Sequence, residues 1–418
     1  MIVQGQARDK SGIRDKYRVR HIGRILLLLS TLLLLTGGCG GNDDNRDEFP
    51  QVRPLPCPIV VNASGWRDFD DLVTRIAGGR DVTRDDLVDL AESPSFAVWS
   101  ASFPSGGAPN QTRITNWLAK AFADEIGIEH KHKMNSEQRD FSRSYLWSRD
   151  RRDLINQRLH ELDDGLWCEL DKRLRRWVPA DDLPDTVRIE VLPSRPELRY
   201  YENHIFIDSG VIAAGNNSQL LGQLTALAYR NLAVPVGPGP LASSGTAAIA
   251  SLFKSLAYEG VASWLEDIPN TIFAPEHPVL GSVQLVPEDF WDTSIRSLAS
   301  LDRHLPAVLE DPDGDTEAVA EIVEGAVSAG LINRGGWCMA STIVAVLGEE
   351  RLLEVAHSVP EFVAAYQEAT RNNAKPLPPR HEVPGAYQRA MPPFSPGTWD
   401  GLLPLLEEYF SRTGDLDQ

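Results

Sequence analysis

The chain has few cysteines and no apolar run long enough to span a membrane. Only four cysteines occur among its 418 residues, and no Cys-x-x-Cys pair is present, which excludes a thioredoxin-type site and a zinc ribbon. The most apolar stretch, 25–35, is 11 residues long, whereas a membrane-spanning helix needs roughly 20. A His-Glu-x-x-His motif, a Gly-x-Ser-x-Gly elbow and a phosphate-binding glycine loop are also missing. The common sequence signatures of hydrolases and nucleotide-binding enzymes are therefore absent.

Positive charge is also scarce. The chain carries 41 basic and 59 acidic side chains, for a net charge of −18. Residues 1–38 hold seven basic and two acidic residues, so their removal would take the net charge to −23. Because nucleic-acid phosphates repel such a surface, we predict no nucleic-acid partner. The remaining residues, 42% hydrophobic over the whole chain, are numerous enough to bury a substantial core.

The N-terminus has the organisation of an export signal. Seven basic residues precede the apolar run at 25–35, and small residues follow it, up to Gly37-Gly38-Cys39. This end resembles the lipobox of bacterial lipoproteins, in which the cysteine is diacylated and becomes the new N-terminus. The sequence departs from that pattern at Thr36, where the family prefers leucine. An ordinary secretory signal with an incidental cysteine is the alternative.

The resemblance implies a signal peptide over 1–38 and attachment to a membrane through a lipid on Cys39. The next residue, Gly40, is not aspartate, which by analogy with Gram-negative sorting favours the periplasmic face of the outer membrane. We therefore expect a lipid-anchored cell-envelope protein.

Composition divides the exported chain into three segments. We predict a flexible tether over 39–60, a folded domain over 61–372, and a proline-rich segment with a final helix over 373–418. Alternation of apolar residues predicts short strands at 187–191 and 205–207. Helical periodicity dominates elsewhere and predicts an α+β fold that is mostly helical. The predicted helices cover 68–76, a segment starting after Thr83, 112–126, 137–177, 217–232, 247–265, 288–309, 316–329, 337–357, 360–371 and 398–410.

Three cysteines follow Cys39. One pair among Cys57, Cys168 and Cys338 is able to form a disulfide in an oxidising compartment, and the sequence does not give the connectivity. Cys168 and Cys338 each follow a tryptophan within a helical pattern. We predict that both are buried as apolar residues.

Several segments, in their order and spacing, resemble a family of bacterial zinc-dependent peptidases of the gluzincin type. Residues 203–208 resemble the edge strand before the active-site helix, and 258–262 (Tyr-Glu-Gly-Val-Ala) the segment that supplies the third zinc ligand. Further similar segments are the N-terminal hairpin at 79–83 and the closing helices at 336–340 and 360–366. The resemblance implies a zincin-like domain, with a short strand pair before the former active-site helix.

The central zinc motif of that family is degenerate here. Laying His-Glu-x-x-His over 224–231 places Ala226 and Arg230 at the histidines and Leu227 at the general base. A methyl group cannot bind zinc, a guanidinium has no lone pair, and leucine cannot accept a proton. Only Glu259, the third ligand, is kept. We therefore predict no zinc or other cofactor, no peptidase activity, and an ion pair between Arg230 and Glu259.

Ordinary structural roles also explain the same residues. The segment 217–232 also fits an ordinary amphipathic core helix, and Glu259 fits a surface acid. Other metal candidates are weak, because 129–132 is interleaved with lysine and the His-Glu pairs at 160 and 381 lack a second histidine. The acidic loop at 311–315 lacks the glycine and glutamate of a calcium loop and fits a helix N-terminus.

A degenerate peptidase domain keeps a cleft beside an edge strand, and such a strand can bind an extended peptide. We therefore expect the protein to bind or scaffold a peptide or protein partner. The alternatives are an active hydrolase with a non-standard site and a helical lipoprotein unrelated to peptidases.

Overall fold

A computed structural model describes most of the chain beyond the N-terminal segment. The described residues belong to one compact unit. The predicted signal peptide, Cys39 and the start of the predicted tether lie outside the described residues, and so does most of the proline-rich segment. The described residues are 52–103, 110–123, 134–194, 198–233, 244–267, 290–372 and 390–414.

One five-stranded sheet accompanies a predominantly helical chain, which confirms the α+β class. The strand order is β1-β2-β3-β5-β4, with the three central strands parallel and the two outer strands antiparallel to their neighbours. The predicted strands at 187–191 and 205–207 are the adjacent parallel pair β3 and β5. The five strands are β1 (Val52–Pro54), β2 (Ile59–Asn62), β3 (Val187–Leu192), β4 (Leu198–Tyr201) and β5 (His204–Asp208).

The sheet begins inside the segment predicted to be a tether. β1 and the first two residues of β2 fall within 39–60, where three prolines in 54–58 obscure the strand pattern. Pro54 is compatible with β1 because that strand lies at the edge, where one side needs no backbone donor.

The prediction that 203–208 forms an edge strand is wrong. β5 lies between β3 and β4, and a tight turn at Glu202-Asn203 connects it to β4. All four residues of β4 are half-buried, so its sequence lacks the alternation that would have revealed it. The edge on this side of the sheet is therefore β4.

The first nine helices pack with the sheet around one hydrophobic core. The capping box predicted at Thr83 is confirmed, since its hydroxyl accepts from the amide of Asp86 and the Asp86 carboxylate accepts from the amide of Thr83. The single helix predicted over 137–177 is instead three helices. The sequence did not reveal the two breaks, because neither contains glycine or proline. These helices are α1 (Ser64–Ala77), α2 (Arg84–Glu92), α3 (Pro94–Ala101), α4 (Asn110–Ala121), α5 (Ser136–Asp150), α6 (Arg152–Glu161), α7 (Asp164–Trp177), α8 (Ser209–Ala214) and α9 (Asn217–Ala228).

The remaining helices form a second hydrophobic core. Its central helix α10 contacts α9, α13, α14, α16 and α17. The helix predicted over 288–309 is divided at Pro306. The helix predicted over 337–357 is divided at Gly348, and the φ of 94° at this glycine ends the helix before it. The second group consists of α10 (Gly245–Glu266), α11 (Phe290–His304), α12 (Pro306–Leu309), α13 (Thr316–Ser328), α14 (Leu331–Leu347), α15 (Glu349–Val355), α16 (Val359–Asn372) and α17 (Pro396–Gly414). Among the helices that the structure describes, none has both the length and the apolarity to cross a membrane.

A disulfide joins Cys57, just before β2, to Cys168 in α7. The prediction that Cys168 is a buried apolar thiol is therefore wrong, whereas Cys338 is buried and free as predicted. A helical pattern beside a tryptophan indicates burial, but it carries no information about a partner 111 residues away.

Candidate functional site

Helices α9 and α10 pack closely and run in opposite directions. A Cβ atom at Gly222 would lie 2.8 Å from the carbonyl oxygen of Leu265, so glycine is required for this approach. Further along the pair, the Tyr229 ring lies 6.3 Å from that of Tyr258. Ala226 is fully buried, and Leu227 is half-buried against the first core. The predicted active-site helix and the predicted third-ligand helix are thus neighbours.

The helix predicted over 217–232 changes geometry before Arg230. It is α-helical to Ala228 and continues as a π-helical turn over Tyr229–Ala233. The hydroxyl of Tyr229 donates to the carbonyl of Ala356 at 2.5 Å, which ties the turn to the end of α15. Turns of this kind are frequent at functional sites. In a zinc motif, four regular α-helical steps place the two histidines on one face of the helix. Positions 226 and 230 are not related in this way, because the π-helical turn begins between them.

The predicted ion pair between Arg230 and Glu259 is present. Arg230 Nε lies 3.0 Å from Glu259 Oε2, and its Nη2 lies 3.0 Å from Glu266 Oε2. The guanidinium therefore pairs with two carboxylates that lie seven residues apart on α10, and does not form a bidentate pair with one of them. The three side chains are between 22% and 34% exposed.

The charges around Arg230 fix its protonation. Burial lowers the pKa of Arg230, but the charges of Glu266 and Glu259 outweigh it, and the net pKa is raised. The side chain is thus a permanent cation held between two helices.

This arrangement does not fit a bound zinc ion. Of the four predicted site residues, only Glu259 has lone pairs to offer, and its carboxylate already accepts a hydrogen bond from Arg230. A divalent cation here would also face the charge of the guanidinium. Within the described parts of the chain, no group of three or more His, Cys, Asp or Glu is placed to hold a metal. The absence of a cofactor stays a prediction.

Two of the segments that resemble the peptidase family meet in one helix crossing. A Cβ atom on Gly260 of α10 would lie 2.6 Å from the carbonyl oxygen of Gly336, and one on Gly336 of α14 would lie 2.5 Å from that of Leu256. In the Glu-Gly pair at 259–260, the Glu259 side chain contacts Arg230, and the glycine allows the backbone of α10 to contact the backbone of α14.

The other metal candidates have structural roles or lie outside the described residues. In the acidic loop, Asp313 accepts from the amide of Thr246 at the start of α10, and Asp315 accepts from Ala318 at the start of α13. His160 Nδ1 contacts the carbonyl of Asn156 in its own helix, at 2.7 Å. The segments 129–132 and 381–382 are not described.

Sequence reasoning missed a buried polar cluster on the sheet. Glu190 Oε2 accepts from Asn62 Nδ2 and from Ser95 Oγ, both at 2.8 Å, and its Oε1 lies 3.2 Å from His204 Nδ1. Asn62 also accepts from the amide of Ser64, so the cluster fixes the starts of α1 and α3 on the sheet. In the sequence, Glu190 looks like the solvent-facing member of an alternating strand, and no local signal shows that α3 covers it.

A second buried carboxylate, Asp208, ends β5. It accepts from the amide of Ser194 at 2.7 Å and from that of Gly210 at 2.9 Å, which caps α8. Burial raises the pKa of Asp208 to about 7, against the opposing effect of these backbone donors. Its role is to connect the sheet to the next helix.

The comparisons with known proteins concern the second half of the chain. The family described as "Putative zinc dependent peptidase (DUF5700)" has a model that matches residues 242–375. No curated protein and no solved structure matches the chain. The match spans α10 to α16, including Glu259 and both crossing glycines, and it begins after α9 with Ala226, Leu227 and Arg230. Residues 242–375 are therefore similar to this family.

Proposed function

We propose that this protein is a lipid-anchored cell-envelope protein whose zincin-like domain has lost its catalytic zinc and binds a peptide or protein partner. One observation carries the proposal: the guanidinium of Arg230 lies between Glu259 and Glu266. A cation supplied by the protein itself thus sits beside the carboxylate that the family resemblance assigns to the metal.

The loss of chemistry follows from the residues on α9. Ala226 and Leu227 offer neither a ligand nor a base, and Arg230 repels a metal cation. A partly buried carboxylate at Glu259 is costly without a counter-charge, and Arg230 supplies one. Replacing the metal by a side chain preserves the contact between α9 and α10. The family match supports this domain type over an unrelated helical lipoprotein.

The geometry of the sheet supports peptide binding. β4 pairs only with β5 among the described strands, and it contacts α9. Its outer edge therefore offers backbone donors and acceptors beside the former active-site helix. An extended peptide can add to such an edge as a further strand.

Binding without cleavage is the test of this proposal. The full-length chain in detergent is mixed with a fluorescein-labelled pool of random octapeptides, and anisotropy reports binding while mass spectrometry reports peptide integrity. We expect bound, intact peptides and no effect of a metal chelator. Cleavage that a chelator abolishes would instead establish an active metallopeptidase, and an absence of binding would remove the peptide-binding role.

Membrane attachment is tested separately. In a bacterial host, we expect the wild-type chain to partition into detergent and to label with palmitate, because acylation at Cys39 anchors it. The Cys39→Ser variant should lose both properties, and the matched Cys338→Ala variant should keep them. Equal labelling of wild type and Cys39→Ser would contradict the lipid anchor.

A further inference from the structure

A cavity of about 570 Å³ opens on the α7 side of the α9–α10 pair. It is lined by α7, α9 as far as Thr225, the C-terminal end of α10 and the start of α15. Two indoles, Trp177 and Trp264, form an aromatic wall with 5.6 Å between ring centroids. The volume falls within the range of about 300–1,000 Å³ typical of small-molecule sites.

The charged residues of the cavity balance one another. Three cations on α7, Lys172, Arg173 and Arg176, face three acids, Glu169, Asp267 and Glu349. Arg173 Nε lies 3.3 Å from Glu169 Oε1, and Arg176 Nη1 lies 3.2 Å from Glu349 Oε1. A ligand with a single charge would leave one set of these groups unbalanced. The lining therefore offers partners for both charges of a molecule that carries both signs, and a neutral ligand tests whether those charges are needed.

Two helix ends give the cavity a direction. The first turn of α9 contributes Ser218 and Gln219, the last turn of α10 contributes Leu265, and Asp267 follows directly after α10. Because the helices run in opposite directions and touch at Gly222, the positive end of the α9 dipole lies beside the negative end of the α10 dipole. A carboxylate is stabilised at the first end and an ammonium group at the second.

We propose that this cavity binds a short peptide with free amino and carboxyl ends. The carboxylate would lie at the start of α9 near Arg173, the ammonium group near Asp267, and an apolar side chain against the two indoles. This inference goes beyond the proposed function, because it adds a second binding site and does not depend on the edge of β4. It places binding at a site distinct from the Arg230 cluster and from the edge of β4.

Calorimetry with defined ligands tests the charge requirement. The full-length chain in detergent is titrated with the dipeptide alanyl-phenylalanine, its N-acetyl derivative, its C-terminal amide, and the neutral disaccharide chitobiose. We expect the free dipeptide to bind, and each blocked derivative to bind at least about tenfold more weakly, because each loses a charge-assisted hydrogen bond. Chitobiose should not compete.

A pair of matched variants tests the location. Arg173→Gln and Arg175→Gln remove the same group from the same helix, and each arginine pairs with an acid four residues before it. Only Arg173 lines the cavity. We expect Arg173→Gln to weaken dipeptide binding about tenfold and Arg175→Gln to change it less than about twofold. Ser218→Trp, which fills the cavity from an exposed position, should abolish binding at an unchanged melting temperature.

Three results would overturn the inference: equal effects of the two arginine variants, equal binding of the blocked dipeptides, or binding of chitobiose in preference to the dipeptide. Octapeptide binding without dipeptide binding would also contradict it, while leaving the proposed peptide-binding function intact. A failure of both octapeptide and dipeptide binding would remove both proposals together.

Discussion

At the scale of single residues, Arg230 combines three properties that a core residue rarely has. It sits on a π-helical turn, it is partly buried, and it bridges two carboxylates on the neighbouring helix. Because Arg230 pairs with both Glu259 and Glu266, removing one acid leaves the arginine paired with the other. Removing the arginine leaves both acids without their counter-charge.

A double-mutant cycle on unfolding tests this asymmetry. We expect Arg230→Met to cost about 1–2 kcal/mol and Glu259→Gln about 0.5 kcal/mol, with a coupling of about 1 kcal/mol, because roughly a third of each side chain faces solvent and water screens the pair. The pair of Arg351 with Glu354, which is more exposed than that of Arg230 with Glu259, provides the control, and the change of Arg351 to Met should fall within about 0.5 kcal/mol. Strict additivity of the Arg230 and Glu259 changes would contradict the bridge.

Asp208 should give the protein a distinctive pH dependence. Its pKa is about 7 in the folded chain and 3.8 in the reference state, so between these values the folded chain holds more protons than the unfolded one. The protonated Asp208 carboxyl group therefore makes its full contribution to the free energy of unfolding below about pH 4. This contribution, at most about 4 kcal/mol, is lost as the pH rises to 7.

The Asp208→Asn variant isolates this effect. Asparagine does not titrate, so the variant should lose the part of the pH dependence that falls between pH 4 and 7, measured as the free energy of unfolding in denaturant. Asp89→Asn, at an exposed position, should keep the wild-type slope. Identical slopes for wild type and Asp208→Asn would show that the carboxylate is ionised throughout this range.

At the scale of helices and strands, the close crossing of α10 and α14 organises the second half of the chain. Gly260 and Gly336 remove the side chains that would hold the two backbones apart. Both glycines and Glu259 lie within the region that matches the peptidase family.

Alanine substitutions measure the importance of this crossing. We expect Gly260→Ala and Gly336→Ala each to destabilise the protein by about 3 kcal/mol or more, because the added methyl groups meet backbone atoms that cannot move independently. Gly325→Ala in α13 is the matched control. Its methyl group meets nothing within 4 Å, so it should stabilise by up to about 1 kcal/mol through helix propensity. Equal effects at all three positions would refute the close crossing.

The sequence predicts elements best where a local signal defines both ends. Thr83 and Asp86 locate the start of α2 correctly, and the apolar alternation at 187–191 locates β3. Local signals fail where the decisive contact is distant. β4 shows no alternation, and the buried partners of Glu190 come from β2 and α3. For the site, the types of Arg230 and Glu259 predict an ion pair, whereas the part played by Glu266 depends on the antiparallel packing of α9 and α10.

At the scale of the whole molecule, two hydrophobic cores meet along α9 and α10. The first core contains the sheet and is crosslinked by Cys57–Cys168. The second contains the region similar to zinc-dependent peptidases. The Arg230 bridge lies at the contact between the helices that belong to these two cores.

The disulfide should contribute substantially to stability because it closes a long loop. The Cys57→Ser/Cys168→Ser double variant is expected to lose about 2–5 kcal/mol of unfolding free energy. Thiol titration of the denatured, unreduced chain provides an independent check. It should detect Cys338 alone if Cys39 is acylated, and both Cys338 and Cys39 if it is not. Reactive thiols at Cys57 and Cys168 in the untreated wild-type chain would contradict the crosslink.

The central claim is that a side-chain cation has replaced the catalytic metal. Elemental analysis of the purified full-length chain, after expression with added zinc and dialysis without chelator, tests it most directly. We expect far less than one zinc per chain, because Ala226 and Arg230 provide no ligands and Glu259 is paired. Stoichiometric zinc that survives dialysis and supports chelator-sensitive peptide cleavage would contradict the account.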